Sequence, residues 1–210
     1  MAPVIFLAVG DLPYPALMVQ SVKALGYPCI QLSDEETAEI PGVDEVIRRP
    51  QKVPLMLFRL EHLAHFPGKE WITVDADILM RRGVEDVWEK DFDVALTRRG
   101  EKEKVVTPNG YDVAKMMPLL MGFMVSRNQE FWKEAHLMLQ VQDQKWHMWW
   151  GDAMAVCELA KRGTYKVLEL PTSEFNWSPN AADETSDLAR VVHYKGPVRK
   201  YWMLRDGRLS

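Results

Sequence analysis

Two carboxylates one residue apart, Asp75 and Asp77, follow the apolar run Trp71-Ile72-Thr73-Val74. The run is short and rich in β-branched residues, and it reads as a buried strand extending to Leu79. On a regular strand alternate side chains share a face. The two acids are therefore expected about 7 Å apart on one side, at the carboxyl edge of an open sheet where α/β folds bind ligands. Like charges held there repel unless a cation lies between them, and hard oxygen donors suit Mg²⁺ or Mn²⁺. An exposed turn with two solvated acids has the same spelling, so the pair alone decides nothing. Four other residues have types suited to chemistry, and each has a bland role as well. Asp11, after the first apolar run, is also a turn residue or helix cap. Arg59, inside an apolar helix, is also a snorkelling side chain. Asp152, after Gly151, is also an acid favoured in a first helical turn. His193, at a strand end, is also a structural histidine. The cluster Trp146-His147-Met148-Trp149-Trp150 suits core packing or a platform for a sugar or base.

The elements that must position these residues can be read from the hydrophobic periodicity. Val4–Val9 predicts a first strand, broken by Gly10-Asp11-Leu12-Pro13. A helix follows with Pro13 near its start, Tyr14, Leu17, Met18, Val22 and Leu25 on one face, and Gly26 as C-terminal cap. Pro28–Leu32 and Val43–Ile47 predict strands, the second at a sheet edge. Between them, Ser33–Pro41 predicts an acidic loop or short solvated helix. Pro54–Phe66 predicts the helix that carries Arg59, and the acid-bearing strand comes next. Gly83–Lys90 is a connector, Asp93–Thr97 a strand, and Arg98–Lys104 a charged loop that either closes over a ligand or is inert surface. Leu119–Ser126 predicts a strand whose Gly122 marks a bulge or a close approach of backbone to a ligand. Asn128 caps a long amphipathic helix, and Asp152 opens the next. Lys166–Leu170 and Arg190–His193 are the last strands, separated by a loop over Ser173–Asn180. The alternation predicts one α/β domain. The first βαβ unit lacks both GxGxxG and GxxxxGK[ST], which argues against a dinucleotide fold of the usual kind and against a P-loop.

Composition bounds the rest. The chain has 210 residues, 47% of them hydrophobic, enough for a substantial core. A net charge of −4 gives no support for a protein built to grip nucleic-acid phosphates. Cys29 and Cys157 show no ligand spacing and are expected as buried free thiols in a reducing cytosol. Met1-Ala2-Pro3 has no basic n-region and Met116–Val125 is too short to span a bilayer, so a soluble cytoplasmic protein is expected.

Taken in order, these pieces resemble glycosyltransferases of the GT-A fold, most closely the family 8 type that includes glycogenin and bacterial lipopolysaccharide galactosyltransferases. The match comprises Ala8, Asp11 and Tyr14, then Arg59, then Asp75-Ala76-Asp77, then Gly122-Phe123-Met124 and Gly151-Asp152. It continues through Leu170-Pro171 with Phe175-Asn176 and ends in His193-x-x-Gly196 with basic residues and Trp202. The resemblance implies a single GT-A domain over residues 1–210, α/β with a mixed, mostly parallel sheet. Residues 1–80 would form the nucleotide-binding half, and residues 81–210 the donor-sugar and acceptor half with its closing tail. It implies a metal-dependent, retaining transferase that takes sugar from a nucleoside-diphosphate sugar, most often a UDP-sugar, with Mn²⁺ or Mg²⁺.

Asp75, Asp77 and His193 match the family's metal ligands. Arg59, with Asp75 and Ala76, matches residues that hold the donor, and Ala8, Asp11 and Tyr14 match the nucleoside-holding segment. Gly196, Arg199 and Lys200 match the diphosphate-gripping tail, and Asp152 matches the acid near the reacting carbon. The acceptor is open among a glycan, a lipid-linked sugar, a protein and a modified nucleic acid. The sequence departs from the family at three points. Leu120 stands where an Asn is usual, Ala153 stands where a Gln is usual, and one extra residue precedes Trp202. The missing amides motivate an alternative, a relative that binds nucleotide sugar without transferring it. A second alternative is a phosphohydrolase of the haloacid dehalogenase type, which places its Asp-x-Asp at the end of the first strand.

Overall fold

The computed structural model describes residues 1–100, 112–147 and 150–206. Seven strands form one sheet: β1 (Val4–Ala8), β2 (Cys29–Ser33), β3 (Glu45–Arg48), β4 (Trp71–Val74), β6 (Val94–Arg98), β7 (Leu119–Ser126) and β8 (Val167–Pro171). Their order across the sheet is β3-β2-β1-β4-β7-β6-β8. Only β7 runs against the others, since it pairs antiparallel with both β4 and β6 while every other neighbouring pair is parallel. The sheet is thus mixed and mostly parallel, as expected. Strands β5 (Ile78–Met80) and β9 (Val191–His193) make a separate two-stranded sheet.

Alternate side chains of the central strands feed two cores, as the two-residue period of a strand requires. Val4, Phe6, Ile72, Val74, Phe123 and Val125 face one side, with Met18, Val19 and Val22 of α1 (Pro15–Ala24) and the small sheet. Ile5, Trp71, Val94, Leu96 and Met124 face the other, with α2 (Leu55–Ala64), α4 (Gln129–Gln140) and α5 (Gly151–Lys161). A sheet covered on both faces accounts for its near-continuous apolar strands.

The chain steps outward from β1 to β2 and β3, then crosses back through α2 to β4 on the other flank of β1. The carboxyl ends of β1 and β4 therefore meet where the strand order reverses, the usual ligand crevice of such sheets.

The regular strand expected over Trp71–Leu79 is two strands in two sheets. β4 stops at Val74, Asp75–Asp77 is a turn, and β5 leaves the main sheet to pair with β9. The acids therefore do not follow strand alternation. Their geometry is set by the turn, by the Asp75 N–H bond to the Gly122 carbonyl (2.9 Å) and by the Tyr194 N–H bond to the Asp77 carbonyl (2.9 Å).

Four smaller differences are helical. α1 begins at Pro15, with Tyr14 rather than Pro13 at its boundary, because Gly10–Pro13 is needed to turn out of β1. A short helix, α6 (Thr172–Phe175), opens the segment read as a loop. The basic tail is a helix, α7 (Gly196–Asp206), anchored by the buried Met203. A four-residue helix, α3 (Val113–Met116), precedes β7. Cys29 and Cys157 are buried free thiols. Most of the charged loop expected over Arg98–Lys104 lies outside the described residues.

Candidate functional site

β7 is distorted where it passes the acid-bearing turn. Its register against β6 jumps from Leu96↔Met124 to Thr97↔Leu120, so Met121, Gly122 and Phe123 bulge out of that ladder. The bulge offers two carbonyls to the site. Gly122 fixes the Asp75 backbone, and the Met121 oxygen accepts from Arg59 Nη2 at 2.7 Å. Gly122 also has no room for a side chain, since a Cβ there would lie 2.4 Å from His193 Nδ1. The strand-interior glycine thus marks both a bulge and a close approach, and the approaching group is the imidazole.

His193 is brought beside the acids by register. In the small sheet Ile78 pairs with His193, so the residue before β5 and the last residue of β9 come together. His193 Nε2 lies 3.0 Å from Asp77 Oδ1 and 3.5 Å from Asp75 Oδ2. Ligand atoms of Asp75, Asp77 and His193 all fall within 4.8 Å of one another, a set that could hold one metal ion. The other ring nitrogen, Nδ1, is 2.7 Å from Asn176 Oδ1. Asn176 Nδ2 in turn donates to Thr97 Oγ1 at 2.8 Å. Neither Asn176 nor Thr97 is among the site residues chosen from sequence. Asn176 left one sign, its place in Phe175-Asn176 after Leu170-Pro171. Thr97 left none.

Arg59 ties the acids together from below. Its Nη2 donates to Asp75 Oδ1 at 2.7 Å, and its Nη1 lies 3.3 Å from Asp152 Oδ2. Asp152 is 3% exposed and also accepts the Ala153 N–H at 2.8 Å. Its burial is enforced by the entry into α5. Trp150 takes a left-handed φ of 80°, and Gly151 leaves no space for a Cβ, which would fall 1.7 Å from the Trp146 carbonyl oxygen. Burial pushes the Asp152 carboxyl above its usual range, and Arg59 only partly offsets it. For Arg59, burial opposes the charge, but Asp75 and Asp152 outweigh it and raise its pKa.

Lys200 reaches in from α7. Its Nζ is 3.3 Å from Asp77 Oδ2, donates to the Tyr14 hydroxyl at 3.1 Å, and sits 4.7 Å from the Tyr14 ring centroid. Burial works against ionised Asp77, yet His193 and Lys200 prevail and hold its pKa down at about 2. A continuous network results: Tyr14, Lys200, Asp77, His193, Asp75, Arg59, Asp152. It contains three carboxylates against two permanent cations. The oxygen and imidazole donors suit a divalent cation of the Mn²⁺ or Mg²⁺ kind.

The other residues chosen from sequence lie outside this network. Asp11 is exposed in the turn after β1. Ala8 is buried at the end of β1, its carbonyl taking the Ser33 hydroxyl at 3.0 Å. Ala76 packs partly buried against the core beneath the turn. Gly196 begins α7 with a φ of 77°, a conformation that favours glycine. The Arg199 side chain bonds to the Pro179 and Lys195 carbonyls and to Asn180 Oδ1, not to the acids. Leu120 is 7% exposed, and Trp150, at 40%, is the exposed member of the tryptophan cluster among the described residues. The phosphohydrolase alternative needs its acids at the end of β1, whereas these follow β4.

No protein-family model matches the sequence, and no curated protein matches it. Solved structures do match by fold. The apo structure of the bifunctional glycosyltransferase WbbM aligns with a TM-score of 0.64 at 11% identity, over 98% of this chain and 49% of that one. This chain thus spans about half of WbbM. The galactosyltransferase LgtC, solved with donor and acceptor sugar analogues, aligns at 0.60 and 16% identity, over 93% of this chain and 87% of that one. A glycosyltransferase involved in glycosylating the major capsid of PBCV-1 aligns at 0.64 and 13% identity, over 96% and 99%. The chain therefore has the α/β fold of these glycosyltransferases, the fold that the motif resemblance implies. No helix among the described residues is long and apolar enough to cross a membrane.

Proposed function

We propose that this protein is a metal-dependent glycosyltransferase whose donor is a nucleoside-diphosphate sugar, with a UDP-sugar the first candidate. The observation that carries this reading is the convergence of Asp75, Asp77 and His193 at the sheet's switch point, flanked by Arg59 and Lys200. When bound, a divalent ion there supplies Lewis-acid neutralisation of a departing diphosphate. Asp75, Asp77 and His193 would hold it, and the imidazole would favour Mn²⁺ over Mg²⁺.

The chain's own residues supply the rest. Lys200 donates to phosphate oxygens and joins α7 to the Tyr14 end of the crevice. Gly196 lets the start of α7 approach the diphosphate. Ala8, Asp11 and Tyr14 border the nucleoside, in the half formed by residues 1–80. Arg59 holds Asp75 and Asp152 on its two guanidinium nitrogens, so that Asp152 faces the donor sugar. Asp152 is too enclosed and too closely tied to Arg59 to serve as a free nucleophile. The family resemblance implies retention at the anomeric carbon, and without a free nucleophile that outcome fits a same-face displacement with an oxocarbenium-like transition state. The leaving phosphate takes the acceptor proton.

One observation favours a second reading, a donor-binding relative without transfer. Leu120 and Ala153 put apolar side chains where sugar-contacting amides are expected. Incubation with radiolabelled UDP-sugars and Mn²⁺ separates the two. Sugar transfer, or slow donor hydrolysis without acceptor, supports the transferase. Donor binding with neither supports the second reading, and no donor binding removes both.

A further inference from the structure

We propose that Asn176 is a positioning residue for the metal, holding His193 so that its Nε2 lone pair faces Asp75 and Asp77. This rests on the metal-site reading above. Asn176 is 2% exposed, Thr97 is fully buried, and His193 is 6% exposed, so each polar atom must find its partner inside the protein. The Thr97 hydroxyl faces the Leu120 carbonyl at 3.4 Å, an acceptor only, so its proton points there. Its oxygen then accepts from Asn176 Nδ2 at 2.8 Å, and that bond decides which end of the amide meets the imidazole. The end that meets it is Oδ1, 2.7 Å from Nδ1, and an oxygen with no proton to give demands a proton on Nδ1. With Nδ1 committed to Asn176, Nε2 is the ring atom left to bind an ion, and it is the atom beside both carboxylates, where without an ion it donates a proton to Asp77 instead.

Gly122 gives the ring and the amide the room to meet. A Cβ there would meet His193 Nδ1 at 2.4 Å and Asn176 Oδ1 at 3.0 Å, so the notch in β7 fits the ring and the amide as a pair. The relay joins β6, the residue after α6, and the end of β9.

The test is a Mn²⁺ binding isotherm, read from loss of the free-ion electron-paramagnetic-resonance signal, on wild type and three variants whose folding is checked by circular dichroism. Asn176→Leu should weaken Mn²⁺ binding by about 10- to 100-fold, the usual cost of losing such a partner. Thr97→Val, which frees the amide to turn over, should weaken it in the same direction and to a lesser degree. Asn176→Asp should bind within a few-fold of wild type, because a carboxylate accepts the same Nδ1 proton. Nitrogen-15 spectra of Mg²⁺-loaded wild type should place the His193 proton on Nδ1. Unchanged binding in Thr97→Val and Asn176→Leu overturns the proposal, as does an Nδ1 without its proton or an Asn176→Asp variant as weak as Asn176→Leu. If Asn176→Leu does not fold, Thr97→Val and the spectra decide. Wild type that binds no Mn²⁺ overturns the metal reading and this proposal together, whereas failure of the variants alone leaves the metal reading intact.

Discussion

At the scale of single residues, the centre of the site is one guanidinium serving two carboxylates. Removing Arg59 leaves Asp75 and the enclosed Asp152 without their shared partner, and breaking such a pair typically costs about 3–5 kcal/mol. Arg59→Met should therefore lower the unfolding free energy by that amount, read from denaturant titration, and adding Asp152→Asn should recover part of it, because the two changes act on one interaction. Equal losses in the single and double variants would show the pair to be uncoupled. Lys200→Ala should weaken UDP binding and also lower the unfolding free energy by about 1 kcal/mol, because it removes a partner of the largely buried Asp77. Unchanged UDP affinity would mean that Lys200 serves Asp77 and Tyr14 alone. Asp75, Asp77, Arg59 and His193 were legible in the sequence because acids, a cation and an imidazole stand out within apolar elements. The relay through Asn176 was not, since its partner Thr97 lies 79 residues away and looks like any strand threonine.

At the scale of elements, the entry to α5 is the most constrained joint. Gly151→Ala must displace the Trp146 carbonyl or the helix itself, since the added Cβ would overlap that oxygen. A loss of about 1–3 kcal/mol is expected from overpacking of this kind. A fall in donor affinity should accompany it, because Asp152 is the next residue. A thermal melt with a nucleotide titration checks both, and a stable variant with wild-type affinity would mean that the joint is free to move. The order of strands and helices was readable from periodicity and turn residues. The break between β4 and β5 was not. An apolar run from Trp71 to Leu79 has the same pattern as one long strand, and only pairing with Val191–His193 at the far end of the chain divides it. α7 was missed for a related reason: its charged residues face the site and the solvent, so little apolar periodicity is left to read.

At the scale of the whole molecule, His62 should dominate the acid response of stability. It is 1% exposed on α2, and burial depresses its pKa to about 4. Between that value and about 6.5, where an exposed histidine titrates, the unfolded chain binds a proton that the folded chain refuses. Stability from this group is unaffected above pH 6.5, falls as pH drops through the window, and levels off below pH 4, a loss of about 3 kcal/mol. His62→Phe should flatten unfolding midpoints measured between pH 7 and pH 4. An unchanged slope would place the acid sensitivity elsewhere. Asp77, held at about 2, acts in a separate and more acidic window, where stability is lost as pH falls from about 4 towards 2.

The central claim is that Asp75, Asp77 and His193 join a cation to a nucleoside diphosphate. Its most direct test is the thermal midpoint with UDP alone, Mn²⁺ alone and both, in wild type and Asp77→Ala. Saturation at about 100 times the dissociation constant adds about 2.7 kcal/mol, or about 5–10 °C for a chain of this size. In wild type the rise with UDP and Mn²⁺ together should exceed the sum of the rises with either alone, and that excess should vanish in Asp77→Ala. An equal rise with UDP in the presence of a chelator, or an unchanged rise in Asp77→Ala, would contradict the claim.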